Sequence, residues 1–281
     1  MTEQNTTGAV SAIELDAPQE AQSPAPAPAA KDSRKLFAAL RWTAAVLVFA
    51  AAGAGTAYGV MQPERTKLPG LSTLPDGRWT YPVQAAPELP AGAPLPKGAD
   101  NKDGTHYADL RGLLLKAPEG ATPDEGVKAD KDGVVTTDAF LEEYAAESRP
   151  KLKESLDWEG VRKIVGTGWT MPDGTRTHVY LLRFHSSGFA DTFGGCNTGT
   201  RLTGGASLSV DLVWSQTKAL QGDRSSGASL YEEPKPFGDE QTRLGCLQAG
   251  DVEAVIIQSR KGGTPVIPFH QAVILQSQLL G

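Results

Sequence analysis

One uncharged apolar segment constrains the organisation of this chain more than any other feature of its sequence. Residues 42–61, WTAAVLVFAAAGAGTAYGVM, contain no Asp, Glu, Lys or Arg. A helix of about 20 such residues, rising about 1.5 Å per residue, matches the hydrocarbon thickness of a bilayer. Trp42 and Tyr58 stand near its ends, where aromatic side chains favour the membrane interface. The sequence therefore predicts one transmembrane helix, over residues 36–61.

The flanking charges predict the orientation of this helix. Basic side chains precede it at Lys31, Arg34, Lys35 and Arg41. Only Arg65 and Lys67 follow it closely, so the basic bias favours a cytoplasmic N-terminus. This pattern is typical of a single-pass signal anchor at the cell membrane, with the larger C-terminal part outside. Small residues at 51–55 leave open a homodimer formed through this helix. The A-x-A sequence at residues 52–54 leaves open cleavage of the segment as a signal peptide.

The remaining regions differ sharply in composition. Residues 1–35 are polar and rich in Ala and Pro, which predicts a disordered cytoplasmic tail. Residues 62–99 contain eight prolines, which predicts a semi-rigid extended linker. Within that linker, Trp79 and Tyr81 are expected to dock on the following domain. Residues 100–281 are long enough for one sizeable hydrophobic core and form the predicted extracytoplasmic domain.

Composition excludes several classes of protein. The net charge of -6 and the lack of a basic stripe disfavour a nucleic-acid partner. Two cysteines in 281 residues exclude a disulfide-dense miniprotein. A single long apolar segment excludes a multi-span transporter.

Patterns within residues 100–281 predict an α+β fold. A hairpin is predicted from strands at 161–169 and 177–185, joined by the turn sequence MPDGT, with further strands at 208–214 and 252–259. Helices are predicted within 134–148, with Thr137 as N-cap, and from Pro268 onward. Residues 216–248 are polar and are predicted to be loops. The expected architecture is a mainly antiparallel sheet with helices on one face.

The segment GTHYADLRGLLLKAPEGA at residues 104–121 resembles the start of outer domains in uncharacterised actinobacterial membrane-anchored and secreted proteins. The order of elements after it is also similar to theirs. The resemblance implies a PsbP/Mog1-like or sensor-like domain at the cell envelope and implies no particular activity. The Gly-rich stretch at 194–207 departs from that pattern.

Cys196 and Cys246 are the only cysteines, and both fall in Gly-rich sequence on the predicted outer side. An even pair in an oxidising compartment predicts a disulfide, which for a loop of roughly 50 residues stabilises the fold by about 4 kcal/mol. A free nucleophilic thiol is the alternative. This pair is the one site predicted from the sequence.

The sequence offers little support for a metal-binding, catalytic or nucleotide-binding site. The sequence ADKDGVV at 129–135 resembles a calcium loop, but Lys128 and Ala139 occupy two key ligand positions, so an Asx-type turn before a helix is predicted instead. His106, His178, His185 and His270 lack metal-ligand spacing, and no catalytic or nucleotide-binding motif is present. No metal, cofactor or catalytic residue is therefore predicted.

These features together predict a cell-envelope protein whose outer domain binds a partner protein or ligand. Two alternatives remain at this point. One is an envelope-processing hydrolase, which requires a deep pocket with converging Asp, Glu and His side chains. The other is a sensor domain that acts through a cytoplasmic partner.

Overall fold

The computed structural model describes residues 33–61, 76–85, 87–96, 98–215 and 226–281, which divide into two compact units at Val60 and Met61. Helix α1, Ser33–Met61, lies in the first unit except for its last residue, and it begins ahead of the predicted start at residue 36. Among the described residues, no helix reaches the combination of length and hydropathy that a membrane span requires. The side chains of residues 52–61 lie outside the described part, as do residues 1–32 of the predicted tail and 62–75 of the predicted linker. The membrane anchor and the homodimer therefore stay predictions.

A seven-stranded antiparallel sheet forms the second unit, in the order β1-β2-β3-β7-β6-β5-β4. The α+β class predicted from the sequence is thereby confirmed. The strands are β1 Thr122–Pro123, β2 Lys163–Thr170, β3 Arg176–Arg183, β4 Ser209–Val210, β5 Ser226–Glu232, β6 Glu240–Ala249 and β7 Val252–Lys261.

The predicted hairpin is present as β2 and β3, paired from Lys163 with Arg183 to Thr170 with Arg176. Its turn contains Gly174 at φ +80°, a conformation that residues with a Cβ rarely adopt. The Thr175 N–H donates to Asp173 Oδ1 at 2.9 Å and completes an Asx turn. Turn chemistry therefore fixes the register of this pair.

Two strand predictions need correction. Residues 216–248 are predicted to be loops, but β5 and all of β6 except Ala249 lie in this range, where the buried Arg243 of β6 pairs with Glu232 of β5. The strand expected at 208–214 ends after Val210, and helix α5, Leu212–Ser215, follows it. The cause is Asp211, whose Oδ1 accepts the Trp214 N–H at 3.0 Å and caps the helix.

The remaining helices are short except for the last. They are a 3₁₀ turn at Leu110–Leu113, α2 Thr137–Leu141, α3 Arg149–Trp158, α4 Ser187–Asp191 and α6 Val266–Leu279. The N-cap of α2 is Thr136 rather than Thr137, since the Thr136 hydroxyl accepts the Ala139 N–H at 3.2 Å. Pro150 lies in the first turn of α3, where its missing N–H breaks no helical bond.

Helices cover both faces of the sheet, so the expectation of helices on one face is wrong. One cluster of buried side chains joins α6 to one face, through Phe269 and Val273 against Leu181 and Ile256. A second cluster joins α2 and α3 to the other face, through Phe140 and Leu156 against Tyr180, Leu182 and Val255. Neighbouring residues of a strand point to opposite faces of the sheet. In β3 and β7, buried apolar side chains point to each of the two faces. Both faces must therefore be covered.

Part of the proline-rich stretch packs on this unit, as the aromatic residues predicted. Trp79 is 4% exposed within the first cluster, and the Tyr81 ring meets the Trp169 ring edge-on at 6.5 Å. Gln84 Nε2 donates to the carbonyl oxygens of Gly112 and Leu114 at 3.1 and 2.8 Å. We call described residues 76–96 the strap.

Replacing Trp79 with Ala should lower the free energy of unfolding by about 3–5 kcal/mol, because it empties a buried site of a large aromatic side chain. Val83→Ala is the matched control, since Val83 lies on the same strap with its side chain fully exposed. Urea unfolding of the full-length chain, followed by circular dichroism, measures both. Equal effects of the two substitutions would show that the strap contributes no core packing.

Candidate functional site

The structure joins Cys196 and Cys246 in a disulfide, with a Cα–Cα distance of 6.2 Å. The sequence prediction is confirmed, and the described residues contain no free cysteine. Cys246 lies in the middle of β6 and is 2% exposed, whereas Cys196 lies half-buried in the loop after α4. The bond thus fastens an irregular loop to the centre of the sheet.

The loop that carries Cys196 is ordered by its own hydrogen bonds. Asn197 Nδ2 donates to the Gly194 carbonyl at 2.7 Å, and the Asn197 N–H donates to the Thr200 hydroxyl at 3.1 Å. The Tyr231 hydroxyl donates to the Cys196 carbonyl at 3.1 Å. A Cβ on Gly195 would overlap the Phe193 ring and stand 2.8 Å from the Tyr144 hydroxyl oxygen, so another residue here would force these side chains to move. These contacts hold the Cys196 sulfur in one place.

A buried carboxyl group lies beside the disulfide. Glu253 is the second residue of β7 and is 5% exposed. One of its carboxyl oxygens and the two sulfurs all lie within 4.8 Å of one another. Cys246 pairs with Val255 across the β6–β7 ladder, which places Cys246 and Glu253 on the same face of the sheet. Such a set of ligand atoms can suit a metal ion, but here the sulfurs are bonded to each other rather than free.

Surroundings of Glu253 favour its neutral form. Burial raises the pKa of the Glu253 carboxyl well above its ordinary value, and the charge of Asp191 raises it further. Within the part of the chain that the structure describes, no hydrogen bond reaches this carboxyl. The pKa of the Tyr144 hydroxyl is also raised, by burial first and then by the charges of Glu143 and Glu253. Burial and the charge of Asp191 therefore both favour the protonated form of the carboxyl beside the disulfide.

Sequence reasoning did not identify Glu253. The signal was present, because Glu253 is the only charged residue among the apolar positions 252–257, VEAVII. Its nearness to Cys196 depends on a loop whose path no local pattern predicts.

A second polar cluster forms where β3 meets the segments before β2. His178 Nδ1 lies 2.7 Å from Glu143 Oε1, and the Tyr180 hydroxyl donates to the same oxygen at 2.5 Å. His178 Nε2 lies 3.6 Å from Asp124 Oδ2, which is ion-pair rather than hydrogen-bond distance. Asp124 itself accepts the Thr170 hydroxyl and the Gly126 N–H. No local sequence pattern indicates that these groups converge.

Titration of this cluster follows from its two carboxylates. Burial disfavours the imidazolium, but the hydrogen bond and charge of Glu143, followed by Asp124, outweigh it and raise the pKa of His178 above 6.5. Burial likewise opposes ionisation of Asp124, but the Gly126 N–H, His178 and Thr170 together lower the pKa of that carboxyl. The cluster thus favours a charged histidine between two carboxylates.

The other histidines have separate surroundings. His106 is buried, with Nδ1 2.8 Å from Asp251 Oδ1 and Nε2 3.0 Å from the Leu280 carbonyl oxygen. His270 is buried, with Nε2 2.8 Å from Asp211 Oδ2. His185 is exposed. The four histidines therefore lie in separate places: His178 in β3, His270 in α6, and His106 and His185 in connecting segments.

The loop that resembles a calcium site is an Asx-type turn, as predicted. Asp130 Oδ1 accepts the N–H groups of Asp132 and Val134, both at 2.8 Å, and Gly133 adopts φ +72°. This carboxyl therefore organises the backbone that leads into α2.

Among the cavities on the surface of the described residues are two open ones. One, of about 670 Å³, lies between the strap and the 3₁₀ turn and is lined by Gln84, Arg111 and Gly166 among others. The other lies along α3, beside Trp158. Neither is lined by the disulfide, Glu253 or His178.

Comparisons of the chain with protein-family models and with curated proteins give no match. The resemblance carried by residues 104–121 therefore stays a prediction.

The stabilising effect of His178 should depend on pH. Because the folded-state pKa lies above the ordinary 6.5, the contribution of His178 is complete below pH 6.5 and is lost as the pH rises through the folded value. His178→Gln should therefore cost about 2 kcal/mol of unfolding free energy at pH 5.5 and less at pH 8.5.

Urea unfolding at the two pH values measures that difference. His185→Gln controls for the loss of an imidazole at an exposed position. An equal cost of His178→Gln at both pH values would show that the charge of His178 contributes nothing to stability.

Proposed function

We propose that this chain is a single-pass cell-envelope protein. In this proposal, residues 42–61 of α1 anchor the chain with its N-terminus in the cytoplasm, and the sheet domain lies outside, where it binds a partner protein or ligand. The sequence support for the anchor is the uncharged apolar run and the basic residues that precede it.

The observation that carries the proposal is the Cys196–Cys246 disulfide. Disulfides persist in oxidising compartments and are rare where thiols are kept reduced. This one joins the loop after α4 to a buried position of β6, so it is part of the packed domain rather than an exposed cross-link. A domain built around such a bond suits a location outside the cytoplasm.

Partner binding is supported by an exposed tryptophan. Trp158, the last residue of α3, is 86% exposed, and it borders a shallow cavity with Pro150 and the stem of Lys153. Exposure of so large an apolar side chain costs solvation free energy that a partner can recover by covering it. Tryptophan is also among the residues that contribute most to binding at interfaces. Asp157 and Glu154 add a charged rim that favours a partner with basic groups.

The hydrolase alternative has less support. It calls for a deep pocket into which Asp, Glu and His side chains converge. Asp124, Glu143 and His178 do converge, but they line neither of the two cavities described above. Partner binding is therefore the function proposed.

Protease added to intact cells should remove the C-terminal domain, because the predicted linker outside the membrane offers exposed cleavage sites. An epitope tag after Gly281 reports the domain, and a tagged cytosolic protein serves as the control. Survival of both tags would contradict the proposed orientation, whereas loss of the C-terminal tag alone would support it.

A photo-crosslinking residue at position 158 should form adducts with an envelope component in intact cells, because a partner that covers Trp158 excludes water there. The same residue at position 83 is the matched control, since Val83 is fully exposed on the strap. Identical adducts at both positions, or adducts with cytosolic proteins alone, would contradict binding at α3.

A further inference from the structure

The two sulfurs of the disulfide differ in their access to other molecules. Cys196 is half-buried on a surface loop, whereas Cys246 is 2% exposed in the central part of β6. A thiolate that approaches from solvent therefore meets the Cys196 sulfur first. The sulfur that leaves when the bond breaks is then Cys246, in a site where a bare thiolate would be poorly solvated.

Glu253 supplies what that buried leaving sulfur lacks. Its carboxyl oxygen lies within 4.8 Å of both sulfurs, and no hydrogen bond from another described residue holds it. Thiol–disulfide exchange is faster when the leaving sulfur is stabilised, and a positioned acid stabilises it by proton transfer.

We propose that Cys196–Cys246 is a redox-active disulfide that exchanges with thiols of a partner or small molecule, and that Glu253 moves the proton for Cys246. Cys196 is the sulfur attacked, and Cys246 is the leaving sulfur. This activity goes beyond the partner binding proposed above, since it names a covalent reaction at a different place from Trp158.

The reaction balances with two thiols of the co-substrate. One thiolate attacks the Cys196 sulfur, the S–S bond breaks, and its electron pair passes to the Cys246 sulfur, which takes the proton of Glu253. The product is a mixed disulfide at Cys196. A second thiolate then attacks the co-substrate sulfur of that mixed disulfide and releases Cys196, which takes a proton from solvent. Glu253 regains its proton from solvent, so two co-substrate thiols become one disulfide as the protein disulfide becomes two thiols.

Dithiothreitol tests the proposal on the purified full-length protein. The rate of reduction is measured between pH 6 and 9 by alkylation and mass analysis, with a chelator present, and is divided by the concentration of dithiothreitol thiolate. In the wild type, this rate per thiolate should be highest at the acidic end and fall as Glu253 ionises. Glu253→Gln should lower the acidic value on the order of 10²-fold and give a flat profile.

Two further variants separate chemistry from structure. Glu159→Gln removes a buried carboxyl from the end of α3 and should reduce like the wild type. Glu253→Asp keeps a carboxylic acid and should retain the sloping profile at an intermediate rate. It also keeps the test possible if Glu253→Gln does not fold.

Wild-type rates and slopes in Glu253→Gln would overturn the proposal and leave the disulfide as a structural link. Because this reaction is measured on purified protein, its failure is distinct from failure of the cellular orientation test.

Discussion

β7 lies at the centre of the seven-stranded sheet with apolar side chains on both of its faces, and the architecture depends on this strand. Ala254 and Ile256 point to the face covered by α6, while Val255 and Ile257 point to the face covered by α2 and α3. A sheet with one apolar face can leave the other in water, but this one cannot. The two helical layers and the strap therefore follow from the composition of one strand.

Buried charges then decide how the polar strands join that core. Arg243 of β6 is 4% exposed, with Nη1 3.2 Å from Asp211 Oδ2 and Nη2 2.7 Å from Glu232 Oε2. His270 of α6 reaches the same Asp211 oxygen at 2.8 Å. Removing one member would leave another charge buried without its partner, which costs far more than losing an exposed ion pair. This network therefore holds α5, α6 and the β5–β6 pair in one arrangement.

The apolar strand β7 and the buried ion pairs also explain which parts of the fold the sequence could predict. β2, β3 and β7 were found because their apolar runs and the MPDGT turn are local signals. β5 and β6 were missed because Arg243 and Glu233 suggest a solvated loop until their partners, distant in sequence, are known. The prediction of a strand at 208–214 is wrong from Asp211 onward. The sequence alone does not distinguish an Asp that caps a helix from an Asp at an alternating polar position of a strand. The disulfide could be predicted from the number of cysteines and the predicted oxidising compartment, but the nearness of Glu253 to it could not.

Glu253 is the only charged residue among the apolar positions 252–257 of β7. A carboxyl at this depth loses hydration without gaining a hydrogen bond from the described residues, so an apolar side chain of similar size would stabilise the domain more. His106, His270 and Arg243 are also buried, but each has an acceptor within 3.2 Å, so their burial is explained by the fold. Glu253 has no hydrogen-bond partner among the described residues, and both sulfurs of the disulfide lie within 4.8 Å of one of its carboxyl oxygens. A destabilising acid within reach of a disulfide is better understood through the chemistry of sulfur than through the packing of the sheet.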